Sequence, residues 1–379
     1  MSVGLVTELL IVAGEASGDR AVAHVLARLP GVRAFGMGGP AARRVGAELL
    51  CDLRQTTAMG FADVAFRLPS LALARNKLLR AAKERRPRAA LLFNYSEFNA
   101  SLLDGLRKLD IPTLFYSPPQ VWAWRSGRAR ELADRATRFA VILPFEKALW
   151  EDAGADVEYV GHPGVETEYL SRVEARDRLM MTAAADAIAI LPGSRPEEVE
   201  RLLPVMLEGF AELRADRASI DARVLVASSL DSRTVGMMRQ LAAEYEVEAH
   251  DVDPLAGISP LLPAFDVALT ASGTATLEAA VAGVAPVVAH RVGAATGALA
   301  RLFIRTPHIA LPNILLERRI FPELVQGNVS AKRIREALEE TLDGRERFRG
   351  YCTDLADMLK TNDAPSVNVA RMLDPWLHR

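Results

Sequence analysis

Cysteine is nearly absent: the 379 residues contain two, Cys51 and Cys352, far apart and in no CxxC or His/Cys spacing. That excludes a disulfide framework, speaks against structural zinc and fits a reducing compartment. Excess charge of either sign is lacking too; the net value is −2, so no global field draws the protein onto nucleic acid. No stretch approaches the ~18–20 uninterrupted apolar residues of a membrane span. The opening "MSVGLVTELLIVAGEASGD" has no basic n-region, and Glu8 and Glu15 break its apolar run. It is read as a first strand rather than a signal peptide. A cytoplasmic protein is expected, with contact to a bilayer surface left open. Neither a Walker A sequence nor a GxGxxG is present, which counts against ATP hydrolysis and hydride transfer.

What is present is a globular composition, half hydrophobic and a quarter charged, long enough for two domains of roughly 150–200 residues. Short apolar runs alternate with helical patterns throughout, the signature of βαβ units and parallel sheets. One series of expected strands covers 8–13, 32–37, 89–94, 112–117 and 138–143; a second covers 187–192, 223–228, 247–252, 266–271 and 285–290. The fold class is therefore α/β, with two doubly wound halves. The break is placed at "YVGHPGVETEYLSR", giving domains 1–165 and 166–345 and a helical tail, 346–379, that can pack back on the first domain.

Two turns in the second half favour anions. "AILPGSRPEEVE" runs from strand through glycine to helix; Ser194 and Glu197 have capping-box spacing, and Arg195 adds a fork donor beside the helix N-terminus. A solvated arginine on a well-capped surface helix is the plainer reading. "TASGTATLEAAVAG" repeats the logic: Ser272, Gly273 and Thr274 allow close backbone approach, and Gly283 ends the helix. Glu278, a turn further in, can accept from a ribose diol or simply complement the helix dipole. Together the turns favour a diphosphate nucleotide.

The first half differs. "VAGEASGD" flanks small residues with Glu15 and Asp19, which suit sugar hydroxyls or proton transfer better than a pyrophosphate. "LLFNYSEFNASL" turns polar as its strand ends, crowding Asn94, Ser96, Glu97 and Asn99 together. "SPPQVWAWR" offers Trp122 and Trp124 as stacking surfaces, although paired tryptophans are more often packing. "FRLPSLALARNKLLRAAKERRPR" sets seven Arg/Lys beyond its proline beside Leu and Ala. That suits an anionic bilayer or a plain solvated helix.

In order along the chain, "AGEASGD", "GMGGP", "TTAMGFADV", "SPPQVWAWR", "LPFEKALW", "VGHP", "LPGSRPEEVE", "TASGTATLEAA" and "LPNILLERRIFPELVQ" resemble the lipid-A-disaccharide synthase family. The resemblance spans residues 8–345. It implies a GT-B fold, with two Rossmann-like domains facing a cleft. It also implies an inverting transferase that moves 2,3-diacylglucosamine from UDP to the 6-hydroxyl of 2,3-diacylglucosamine 1-phosphate. The implied setting is the cytoplasmic side of the inner membrane, peripherally bound. No metal or cofactor is implied beyond the UDP-sugar, and a homodimer is left open. Donor residues would be Gly193, Ser194, Arg195, Ser272, Gly273, Thr274, Glu278 and Asn313; acceptor or lipid residues would be Ser17, Gly18, Met59, Trp122, Trp124 and Arg125.

One departure matters. The family's third strand end resembles D-x-P-D-F-N, its first Asp taken as catalytic; here Asn94 and Ser96 replace that Asp and the proline. An amide is no base at neutral pH. Three readings stay open. Glu97, Glu15 or Asp19 serves as base with Asn94 as a positioning group; a divergent transferase uses another glycolipid acceptor; or the protein is an impaired UDP-sugar or lipid binder. A GT-B epimerase is the alternative outside the transferases.

Overall fold

The apolar runs become strands covered on both faces, as parallel strands between helix layers must be. The computed structural model describes residues 7–53, 64–124, 127–182, 185–217, 219–292 and 307–378, without the side chains of 64–68, 96, 123 and 124. By contact the chain divides into residues 1–166 with 361–379, and residues 167–360.

The first unit holds β1 (Glu8–Ala13), β2 (Arg33–Gly38), β3 (Glu48–Asp52), β4 (Ala89–Phe93), β5 (Thr113–Tyr116), β6 (Arg138–Val141) and β7 (Val157–Tyr159). They form one parallel sheet ordered β3-β2-β1-β4-β5-β6-β7. The second unit holds β8 (Asp186–Leu191), β9 (Ile220–Val226), β10 (Glu248–Asp251), β11 (Val267–Ala271), β12 (Ala285–His290) and β13 (Glu323–Val325). Its order is β10-β9-β8-β11-β12-β13. Each is a Rossmann order, and each reverses direction once, between β1 and β4 and between β8 and β11. β4 and β11 are buried along their whole length. In such sheets a ligand sits outside the carboxyl ends of the strands flanking the reversal.

The helix Arg345–Leu359, expected in the tail, belongs to the second unit. Its buried stripe of Phe348, Cys352, Leu355 and Leu359 explains this: the helix packs on Thr274–Val281, and Phe348 stacks on Phe321 at 5.9 Å. Only residues 361–379 join the first unit, where helix Pro365–Leu377 packs on helix Ala16–Ala27. Glu166 caps the start of that C-terminal helix, accepting from the Ser366 amide at 2.8 Å.

Candidate functional site

At the first reversal, Ala13 of β1 pairs with Phe93 of β4, so the segments that follow them are neighbours. Gly14 must lack a side chain, because a Cβ would lie 2.3 Å from the Tyr95 ring. Asn94 and Tyr95 are both left-handed, with φ of 43° and 41°. Asparagine tolerates this conformation; tyrosine is strained in it and must be held by its surroundings. Asn99 is fully buried, and its Nδ2 donates to the carbonyls of Phe93 at 3.2 Å and Asn94 at 2.6 Å. The Asn94 amide donates to the Tyr116 carbonyl at 3.0 Å. The polar strand end is a clamped turn.

The three carboxylates proposed as bases fare differently. Asp19 is 2% exposed and accepts from the backbone amides of Gly39, Ala41 and Ala42 at 2.7, 2.8 and 3.1 Å. Burial raises its pKa against the pull of those amides. Both oxygens are therefore committed to starting helix Pro40–Arg44, and Asp19 is a structural clamp instead of a proton acceptor. Asp19→Ala strands three buried donors, and a loss of about 3 kcal/mol is expected in urea denaturation. A loss below about 0.5 kcal/mol, the range of a plain surface change, contradicts the clamp.

Glu97 points to solvent, its side chain 63% exposed, paired with both arms of the Arg128 guanidinium. Glu15 is half-buried at the N-cap of helix Ala16–Ala27, just past β1 and beside the β4 turn. Ser17 is half-buried in the first turn of that helix. Gly18 has a packing reason, since a Cβ there would meet the Phe93 ring at 2.6 Å. Met59 and Arg125 lie outside the described residues, as does the Trp124 side chain.

Trp122 meets a residue of the LPFEKALW motif, Glu146. Its indole Nε1 donates to Glu146 at 3.0 Å. Glu146 is 1% exposed, and burial pushes its carboxyl up to about 7 against the indole and the Leu143 and Ile142 amides.

At the second reversal, β8 leads to Gly193 and β11 to Ser272. Gly193 has φ of +119°, and a Cβ would lie 2.6 Å from Glu198 Oε2. The expected Ser194–Glu197 capping box does not form, because the extended N-cap residue of helix Pro196–Asp216 is Arg195, whose side chain makes no capping hydrogen bond. Ser194 is exposed, and its carbonyl accepts from the Ser229 hydroxyl at 3.2 Å. Arg195 is 44% exposed and meets Glu198 at 3.1 Å. The N-cap of helix Thr274–Val281 is Gly273, with Ser272 and Thr274 half-buried on either side. The two helix starts thus offer backbone amides and a guanidinium at one sheet edge.

Two expected donor contacts sit deeper than anticipated. Glu278 is 3% exposed and accepts from the Ser259 hydroxyl at 2.9 Å. Burial, with the Glu278 charge adding to it, pushes the neighbouring Tyr169 phenol up to about 12. Asn313 is fully buried: its Nδ2 donates to the Phe321 carbonyl and Glu323 Oε1, both at 2.9 Å. Its Oδ1 accepts from the Ile320 and Phe321 amides at 3.0 and 2.9 Å. It organises the segment before β13 and has no capacity left for a ligand.

Comparison with known proteins gives a consistent result. A family model described as lipid-A-disaccharide synthetase matches residues 9–370. The chain is similar to the lipid-A-disaccharide synthase of Anaeromyxobacter sp. (strain K), 42% identical over 346 residues, 90% of this chain and 89% of that protein. It is similar to that of Myxococcus xanthus (strain DK1622), 36% identical over 359 residues, covering 90% and 92%. Among solved structures, UDP-GlcNAc 2-epimerase from Neisseria meningitidis bound to UDP-GlcNAc aligns with a TM-score of 0.66 at 11% identity, covering 97% of this chain and 100% of that one. Acinetobacter baumannii MurG aligns with a TM-score of 0.57 at 14% identity, covering 97% and 99%. At such identities the structural likeness speaks for the GT-B fold alone.

Proposed function

The chain belongs to the lipid-A-disaccharide synthetase family, and on that premise we propose how its two units divide one glycosyl transfer. The protein is a lipid-A-disaccharide synthase-type glycosyltransferase: it moves 2,3-diacylglucosamine from UDP to 2,3-diacylglucosamine 1-phosphate. The observation that carries this is the family match over residues 9–370. The anion-favouring turns at the β8/β11 reversal support it.

The acceptor's 6-oxygen bonds to C1 of the donor sugar as the C1–O bond to UDP breaks on the opposite face. The hydroxyl proton goes to a carboxylate, and the electron pair leaves with UDP. We assign the proton to Glu15 for its place, half-buried just past β1 and beside the Asn94 turn; Asp19 gives both oxygens to three amides. Asn94 orients the hydroxyl with its amide. Arg195 and the two helix starts steady the diphosphate, while Glu278, held by Ser259, takes the ribose hydroxyls. No metal or cofactor is assigned. Comparing disaccharide formation by wild type and Asn94→Asp tests this: an inert wild type beside an active Asn94→Asp refutes the assignment to Glu15.

Among the described residues no helix is long and apolar enough to cross a membrane. The inner-membrane surface is proposed to meet helix Val64–Arg85 and the residue after it: Leu73 is 70% exposed, and Arg80, Lys83 and Arg86 face solvent. Arg85 is not part of that surface: it binds Glu8 and Glu48 and lies 3.9 Å over the Phe35 ring. Neutralising Arg80, Lys83 and Arg86 together is expected to weaken sedimentation with anionic vesicles roughly a hundredfold, at about 1 kcal/mol per charge. Neutral vesicles binding as well as anionic ones would contradict this.

A further inference from the structure

Glu146 is a buried acid that the transfer described above leaves unused. Burying a carboxyl is costly unless donors meet its oxygens. Three do: Trp122 Nε1 reaches one oxygen at 3.0 Å, and the amides of Ile142 and Leu143 reach the other at 3.3 and 3.1 Å. A serine or asparagine can serve two loop amides at lower cost. What the carboxylate adds is a tether for an indole that follows another strand. Phe145 stands edge-on against that indole, centroids 5.2 Å apart at 83°, and remains 40% exposed. The pair follows β5 and β6, which lie next in sheet order to β4. The pair and the Asn94 turn therefore follow the carboxyl ends of neighbouring strands, on one edge of the sheet.

With its N–H already committed to Glu146, the indole has no polar handle to offer, and Phe145 has none. Such a pair suits an alkyl chain better than a sugar edge that needs hydrogen-bond partners. We infer that Glu146 is a positioning residue that fixes Trp122 and Phe145 as a seat for a fatty acyl chain of the sugar bound at the β4 end, and that this seat sets chain-length preference. The inference rests on the reading of the first unit as the acceptor half.

Its pH dependence has a definite sign. The ionised carboxylate accepts all three bonds; a proton added below about pH 7 occupies an oxygen that a donor already faces, and the tether weakens. Burial, with the Glu146 charge adding to it, pushes the Tyr159 phenol on β7 up to about 12, so it stays protonated across that range.

Tryptophan-fluorescence titration of the full chain without donor tests this, using 2,3-diacylglucosamine 1-phosphate with long or short acyl chains at pH 8 and pH 6. Wild type should prefer the long chain at pH 8. Phe145→Ala and Glu146→Gln should each weaken long-chain binding roughly tenfold and leave short-chain binding within about twofold. The wild-type preference should shrink at pH 6, and that of Glu146→Gln should not. Equal losses for both ligands in the surface variant Phe145→Ala, an unaltered preference in both variants, or no binding by wild type would overturn the inference. Since the readout is binding, a failure of sugar transfer would count against the reaction and leave this result standing.

Discussion

Glu15→Gln is expected to lower kcat for disaccharide formation by 10²–10⁴-fold, the range for loss of a general base, while UDP affinity stays within about twofold. The asymmetry follows from where the carboxylates sit. Glu15 lies past β1, beside the clamped turn that ends β4, whereas UDP is assigned to the other unit. Glu97→Gln should change kcat less than about threefold, because an exposed ion pair is worth little. Steady-state kinetics on the two variants decide the matter: a full-strength Glu15→Gln, or a Glu97→Gln that is the more damaged, removes Glu15 from the role.

Arg195→Ala is expected to weaken UDP binding roughly 10–100-fold in calorimetry, with uridine binding unchanged. The argument is the loss of a charge-assisted contact worth about 1.5–3 kcal/mol. Arg195 is the N-cap of its helix, and its guanidinium meets the neighbouring, partly exposed Glu198 at 3.1 Å. The side chain is exposed, so the variant should fold normally. Raising salt should erode UDP binding more in wild type than in the variant. Equal UDP affinity in both would contradict the placement of the diphosphate at the β8 turn.

Much of the fold was legible because the central strands are apolar on both faces. Expected β1 and β12 match the observed Glu8–Ala13 and Ala285–His290. The strands that escaped notice were β3, β7 and β13, each at a sheet edge. There, short half-exposed segments such as Val157–Tyr159 carry no long apolar run. The order and turns of the site were readable too, since glycine, arginine and helix-start residues follow the strands directly.

Burial was not readable. Asp19 and Glu278 look like exposed acids in a helix's opening turns, yet tertiary packing encloses both. Asn313 sits in a motif, but its four bonds come from residues that meet only in the fold. Glu146 reads as ordinary dipole compensation at a helix start; only the approach of Trp122 from another strand distinguishes it.

The central claim is that this chain, with an amide at the end of β4, still transfers the sugar. Purified wild-type protein supplied with UDP-2,3-diacylglucosamine and 2,3-diacylglucosamine 1-phosphate should release UDP only when both are present, one per disaccharide formed, with inversion at C1 seen by NMR. Release of UDP without the acceptor, or no disaccharide at any pH while UDP binds normally, would contradict it.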